Sequence, residues 1–354
     1  MNKLSTFITL SIIMTFASLQ LACNKKVKSQ NSKPNANSLK VSIDSSLWLK
    51  KTRGIRDILE DKQGNLWFSS PDYVAKFDGK AMHYFSENDG LSITGNIHED
   101  NYGNIWVENG FKAFNYDGKS FFEEKINNIT NSNGLWIQRG LNLTDTTYTQ
   151  PGLYEINNKT TSFHPLPIKK NINNKHLHYP STKAFLGKDS TVWIGTMNRV
   201  YGLKNNSFIS IGREEMGRQD DEHQMGIRGI FVDSKGVLWM ADNGAGIFTY
   251  NGKEIKNFTK KHHLDEEDVE GNTLHRAFSI AEGSDGKMWF GTVYSGIWSY
   301  NPSTEEFINY TMDDGVKSEN IWTIYKTKGG KLLFAGESPA AVYVFNGKKF
   351  HRKY

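Results

Sequence analysis

Seven copies of one short pattern make this chain an expected all-β protein, a seven-bladed β-propeller of four-stranded antiparallel blades. Three observations carry the expectation. A turn containing Gly is followed by an aliphatic residue and then Trp, as in EDKQGNLWFSS at residues 60–70. The signal returns at Trp106, Trp136, Trp193, Trp239 and Trp289, and with Leu333 in the last copy. A second signal trails it, an aromatic or aliphatic residue followed by Asp or Asn and often Gly: Phe77-Asp78-Gly79, Tyr116-Asp117-Gly118, Ile156-Asn157, Tyr250-Asn251-Gly252, Tyr300-Asn301 and Phe345-Asn346-Gly347. The copies recur at about 43 residues, room for four short strands and their turns.

Each unit parses alike. In the first copy IRDILED, NLWFSS, YVAKFD and KAMHYFS are the four strands, and tight hairpins of type I′ are expected where Asn-Gly and Asp-Gly supply a positive φ. The Trp sits on the second strand. There it fills the wedge between adjacent sheets, burying on the order of 200 Å², and a row of seven equivalent rings does not converge as a ligand site would. The blades fall near residues 54–92, 93–128, 129–167, 180–212, 226–260, 274–311 and 319–354, within a propeller spanning 41–354.

Composition agrees with short strands. Aromatic residues make up 13% of the 354, and 32 are Gly, while few stretches repeat apolar residues at helical spacing. The net charge of +5 is misleading, because residues 1–40 hold six lysines and no acid, leaving −1 for the rest. A nucleic-acid footprint needs a basic patch on the folded part, so no nucleic-acid partner is expected.

The start of the chain reads differently. MNKLSTFITLSIIMTFASLQLAC opens with one Lys, runs through an apolar stretch and ends on small Ala22 before Cys23, the layout of an export signal. A lone cysteine forms no internal disulfide. Leu19-Gln20-Leu21-Ala22-Cys23 resembles the box of a bacterial lipoprotein signal, which implies a signal peptide over 1–22 and lipidation of Cys23. Residues 23–40 are polar and lysine-rich, a flexible tether that holds the protein at a membrane through the lipid. Asn24, which is not the Asp that retains such proteins at the inner membrane, implies the outer one.

The repeats themselves carry a second resemblance. They lack the Trp-Asp pairs of WD40 repeats, the double glycines of kelch repeats and the spacing of the sialidase Asp box. The order Ile-x-x-Ile-x-x-Asp-x-x-Gly-x-Leu-Trp, with Asp89-Gly90-Leu91 and Asp314-Gly315-Val316 between blades, resembles the two-component regulator propeller repeat. That resemblance covers most of residues 54–354. It implies the sensing half of a signalling system, and no kinase segment follows the propeller in this sequence.

Long connections locate the candidate site. RGLNLTDTTYTQPG, HPLPIKKNINNKHLHYPS, GREEMGRQDDEHQMG and KKHHLDEEDVEGNTLHR all emerge on one face, where repeat insertions commonly build a binding surface. Arg56 and Arg228 stand eleven residues before their Trp, and Arg276, with His275 beside it, begins its own first strand. These arginines either converge on a carboxylate or sulfate, or each pairs with an acid from a neighbouring loop. Tyr73, Phe111, Tyr148, Tyr201, Tyr294 and Trp322 are loop aromatics that at a channel mouth would suit stacking on sugar faces, with burial in the propeller core the equal alternative for each. Asp221, His223, His263 and Asp265 are candidate ligands for a divalent cation such as calcium, though without a fixed metal spacing a solvated charged rim is the simpler expectation.

The function expected is a lipid-anchored, monomeric binding or sensory propeller of the cell envelope, for an oligosaccharide or an envelope protein. The alternatives are a carbohydrate-active lyase or glycosidase on the same face, and a structural scaffold. No nucleophile elbow, Cys/His pair or metal motif is present in the sequence.

Overall fold

The computed structural model describes residues 45–140, 149–168, 175–218, 226–266 and 272–354. Cys23, the export signal and the tether lie outside them. Among the described residues no helix is long and apolar enough to cross a membrane.

Seven antiparallel sheets form the blades of a β-propeller. The first is β1 (Asp57–Glu60), β2 (Leu66–Ser69), β3 (Val74–Phe77) and β4 (Met82–Phe85), and the second β5 (Asn96–Glu99), β6 (Ile105–Glu108), β7 (Ala113–Tyr116) and β8 (Phe121–Glu124). The third has β9 (Ser132–Arg139), β10 (Gly152–Asn158) and β11 (Thr160–Pro165). Next come β12 (Phe185–Leu186), β13 (Val192–Gly195), β14 (Arg199–Lys204) and β15 (Ser207–Gly212), then β16 (Ile227–Val232), β17 (Leu238–Asp242), β18 (Gly246–Tyr250) and β19 (Ile255–Asn257). The sixth blade is β20 (Ala277–Glu282), β21 (Met288–Thr292), β22 (Ile297–Asn301) and β23 (Glu306–Tyr310), and the seventh β24 (Asn320–Lys326), β25 (Leu332–Glu337), β26 (Ala341–Phe345) and β27 (Phe350–Arg352).

The repeated Trp does what its position requires. Trp67 and Trp106 are fully buried, and Trp193, Trp239 and Trp289 nearly so. Trp67 packs between blades one and two, with Phe85 and Val74 on one side and Ile97, Val107 and Phe121 on the other. The repeated Asp has a job that spacing alone did not reveal. Asp61 is buried, and its carboxylate accepts hydrogen bonds from Gln63 N, Asn65 N, Asn65 Nδ2 and Trp67 Nε1, the last at 2.8 Å. Asp100 and Asp233 hold Trp106 and Trp239 in the same way. Asp61→Ala is therefore expected to cost about 2 kcal/mol, the usual penalty for stranding buried donors, measured by urea unfolding; a loss under about 0.5 kcal/mol would mean that water replaces the carboxylate.

The hairpins differ from the expected type I′. In the first turn only Gly64 has a positive φ, with Asp61 N and Asn65 O bonded, a three-residue loop closed by a left-handed Gly. In the second, Gly79 alone is positive, at the first central position, whereas type I′ needs both central residues positive. The glycines between blades have a separate reason. A Cβ on Gly90 would lie 2.0 Å from Phe121 O, and one on Gly315 2.2 Å from Phe350 O, so each connector presses its backbone against the outer strand of the next blade.

Two features shape the channel. Blade three has no inner strand: Trp136 lies on β9, and only residues 129–131 separate β9 from the 3-10 turn Ile126–Asn128, too few for a strand. Lys183, just before β12, reaches across instead, its ammonium 3.0 Å from Asp57 Oδ2 and bonded to Ile97 O, tying blade four to blades one and two. Ring closure uses no shared strand. Residues 54 and 337 form an isolated bridge, Ile55 N donates to Gly336 O, and Leu333, Ala335 and Val342 pack against Ile58, Phe68 and Tyr73. Lys50 straps the outside through Tyr73 and Tyr84.

Candidate functional site

The first residues of the inner strands and the last residues of the second strands meet at one end of the central channel. A cavity of about 530 Å³ opens there. Apolar Ile58, Ile230, Phe231, Ile280 and Ile324 line it together with polar and charged Arg56, Asp57, Asn96, Thr182, Lys183 and Arg228. The volume suits a small molecule.

Arg56 is already engaged. Its Nη1 lies 2.9 Å from Glu337 Oε2, and its Cζ sits 3.7 Å from the centroid of the Trp322 ring. Glu337 is buried at the end of β25 and also accepts from Arg53 Nε at 2.8 Å and from Trp322 Nε1. Burial pushes the Glu337 carboxyl up, but the Arg56 charge with the Arg53 and Trp322 hydrogen bonds outweighs it and holds the group below the usual carboxylate range. For Arg56 the alternative reading is the correct one: it pairs with an acid and closes the ring.

Arg228 is different. Its guanidinium lies over Phe278, with Cζ 5.7 Å from the ring centroid, and Phe278 stands edge-on to Trp322 at 4.4 Å. Among the described residues no carboxylate lies within ion-pairing distance of it, and its buried Nε has no hydrogen-bond partner. Burial lowers its pKa, Asp242 opposes that shift and the Arg56 charge adds to it. Asp242 is itself committed, 2.7 Å from Arg218 Nη1 with both side chains buried; burial pushes its carboxyl up against the pull of Arg218.

The remaining expected residues divide. Arg276 donates from Nε to Asn243 Oδ1 at 3.0 Å and lies over Tyr294, at the rim between blades five and six rather than in the cavity. His275 Nδ1 is 2.6 Å from Asp265 O and its own carbonyl accepts Gly244 N and Gly246 N, so it joins two loops. Tyr294 is 65% exposed and Phe111 46%, whereas Tyr73 and Tyr201 are buried in the packing, the alternative that the sequence left open for each. Tyr148, Asp221 and His223 lie outside the described residues. Among the described residues no three His, Cys, Asp or Glu side chains come together, so His263 and Asp265 gain no metal-binding company there.

Sequence reasoning missed the acids. Glu108, Asp242 and Glu337 stand two to four residues after their anchor positions, where other blades carry Ser69, Ser70 and Thr292. Aligning the copies for departures from the repeat, rather than for agreement, would have found them.

Residues 51–72 match the family model described as two component regulator propeller. Those residues, which run through β1 and β2 of the first blade, are similar to that family's repeat. No curated protein matches the chain. Among solved structures, a streptogramin B lyase superposes with a TM-score of 0.59 at 16% identity, covering 86% of this chain and 95% of that one. A catalytically inactive virginiamycin B lyase from Staphylococcus aureus with quinupristin gives 0.58 at 15%, covering 84% and 96%. The extracellular domain of a protein described as a one component system from B. thetaiotaomicron gives 0.56 at 14%, covering 84% of this chain and 40% of that chain. At these identities the likeness is one of fold.

Proposed function

We propose that this regulator-propeller chain is an envelope ligand-binding protein that takes an anionic small molecule at the channel mouth, with Arg228 as the anchor. One observation carries the reading: a half-buried guanidinium, whose buried Nε has no hydrogen-bond partner and which has no carboxylate within ion-pairing distance among the described residues, lines a 530 Å³ cavity, while Arg56 on the same wall is paired. A half-buried cation with a buried, unpartnered N–H is a cost to the fold, and a ligand carboxylate or sulfate bonded to it offsets that cost. Trp322, half-buried on the cavity wall, is the ring beside the ligand body, with Phe278 buried behind it and beneath the Arg228 guanidinium, and the cavity accommodates an anionic end of an oligosaccharide or of a protein partner.

The envelope location rests on the export-signal layout and on Cys23 as a lipid anchor, and the fold shared with an extracellular domain supports it. The lyases support an enzyme reading only through the same fold.

Titration of the full chain with cyclohexanecarboxylate tests the anchor. Arg228→Met is expected to weaken binding at least roughly tenfold, the worth of a charge-assisted hydrogen bond, with no loss of melting temperature because an unpaired, half-buried charge is removed. Equal affinity in the two proteins would overturn the reading.

A further inference from the structure

Beside the channel mouth lies a second hollow of about 250 Å³. It shares Arg228, Asn96, Ser181 and Thr182 with the main cavity, and its other walls include Glu108, Asn109, Gln138, Tyr179 and Pro180. Its character is unlike that of the channel. No Ile, Leu, Val, Met or Phe side chain lines it; Pro180 and the Tyr179 ring are its apolar walls, and a ligand group that enters also meets several hydrogen-bonding side chains.

Gln138 is the telling residue. It is 8% exposed, it projects from β9 in the blade that lacks an inner strand, and its buried Oε1 has no partner among the described residues. A buried amide without a partner is unusual and costly. Its neighbours, by contrast, are engaged: Glu108 accepts from Asn96 Nδ2 at 2.8 Å and from Gly110 N at 2.7 Å, and Thr182 Oγ1 accepts from Gly195 N. The Gln138 side chain therefore lines the hollow with its amide oxygen buried and unpartnered among the described residues.

Charge narrows the occupant. Glu108 at the wall disfavours a second carboxylate, and Arg228 at the entrance disfavours an ammonium, which leaves neutral hydroxyl groups. Resting on the proposed anion anchor, we infer that the side hollow is a hydroxyl-reading subsite, and that the ligand is a hydroxylated carboxylate whose acid group meets Arg228 and whose hydroxyls meet Gln138 and Tyr179.

Three probes and two variants test this on the full chain by calorimetric titration: cyclohexanecarboxylate, D-glucuronate and D-glucose. The wild type is expected to bind glucuronate roughly tenfold tighter than cyclohexanecarboxylate, as one or two added hydrogen bonds provide, and glucose least. Gln138→Leu is expected to reduce that preference to about twofold or less while leaving the affinity for cyclohexanecarboxylate unchanged, which also shows that the variant is folded. Tyr179→Phe, which removes only a hydroxyl, is expected to reduce it part of the way. If cyclohexanecarboxylate binds through Arg228 but glucuronate binds no tighter, or the preference survives both variants, the subsite is overturned and the anion anchor stands. If neither acid binds, both fall.

Discussion

Glu337→Ala is expected to destabilise the propeller by about 3 kcal/mol, the low end of what breaking a buried ion pair costs. Glu337 is 4% exposed and gathers Arg53, Arg56 and Trp322 at the one seam where blades seven and one meet without a shared strand. Removing the carboxylate leaves Arg56 half-buried and unpaired beside Arg228. Hydrogen exchange should then accelerate at Ile55 N, Arg56 N and Ser338 N, whose bonds cross or flank the seam. The same residue sets an acid limit. Its folded pKa is depressed, so its contribution is complete above the unfolded carboxylate value of about 4.3 and is lost as pH falls through the lower folded value. Urea unfolding from pH 7 to pH 3 should show the wild type and the variant converging in stability toward the acid end; parallel curves would assign the seam to the apolar contacts of Leu333 and Val342 with Ile58 and Phe68.

Trp67→Ala should cost about 4 kcal/mol. The ring is fully buried, meets Tyr116 edge-on at 5.1 Å and Phe121 at 6.3 Å, and lies 6.0 Å from Phe85, so its loss empties the wedge between the first two blades. The cavity has no easy way to collapse, because the walls are strands held in two separate sheets. Trp136→Ala makes the internal comparison. That ring is only half-buried, in the blade without an inner strand, and a loss of about 1–2 kcal/mol is expected by urea unfolding. Equal losses at the two positions would contradict the wedge account.

The architecture was legible because the repeat states it seven times, in the Gly turn, the Trp and the aromatic-Asp-Gly strand end. The departure at blade three was written too, in KINNITN, where Asn127, Asn128 and Asn131 replace the alternation that Ile55, Ile58 and Leu59 show in the first copy. A short run of Asn in a register that should alternate is a missing strand. The Asp of the repeat was read as turn chemistry, and its second bond to the Trp indole needed three dimensions.

The site was legible in part. Arg56 and Arg228 share a sequence position, and nothing in the chain distinguishes them; what separates them is Glu337, brought to Arg56 by ring closure across 281 residues of sequence. Phe278 and Trp322 sit on different blades and become one surface only when the inner strands converge. Gln138 was silent for the same reason: its lack of a partner is a property of the hollow around it, not of its neighbours in sequence.

The central claim is that the channel mouth at Arg228 is where this propeller holds its ligand. Crystals of the full chain soaked in 4-bromobenzoate test it most directly, since anomalous scattering locates the bromine without bias. The account predicts a carboxylate within roughly 3 Å of the Arg228 guanidinium, with the brominated ring beside Trp322. A bromine found only at other surfaces, with the channel mouth holding solvent, would contradict it.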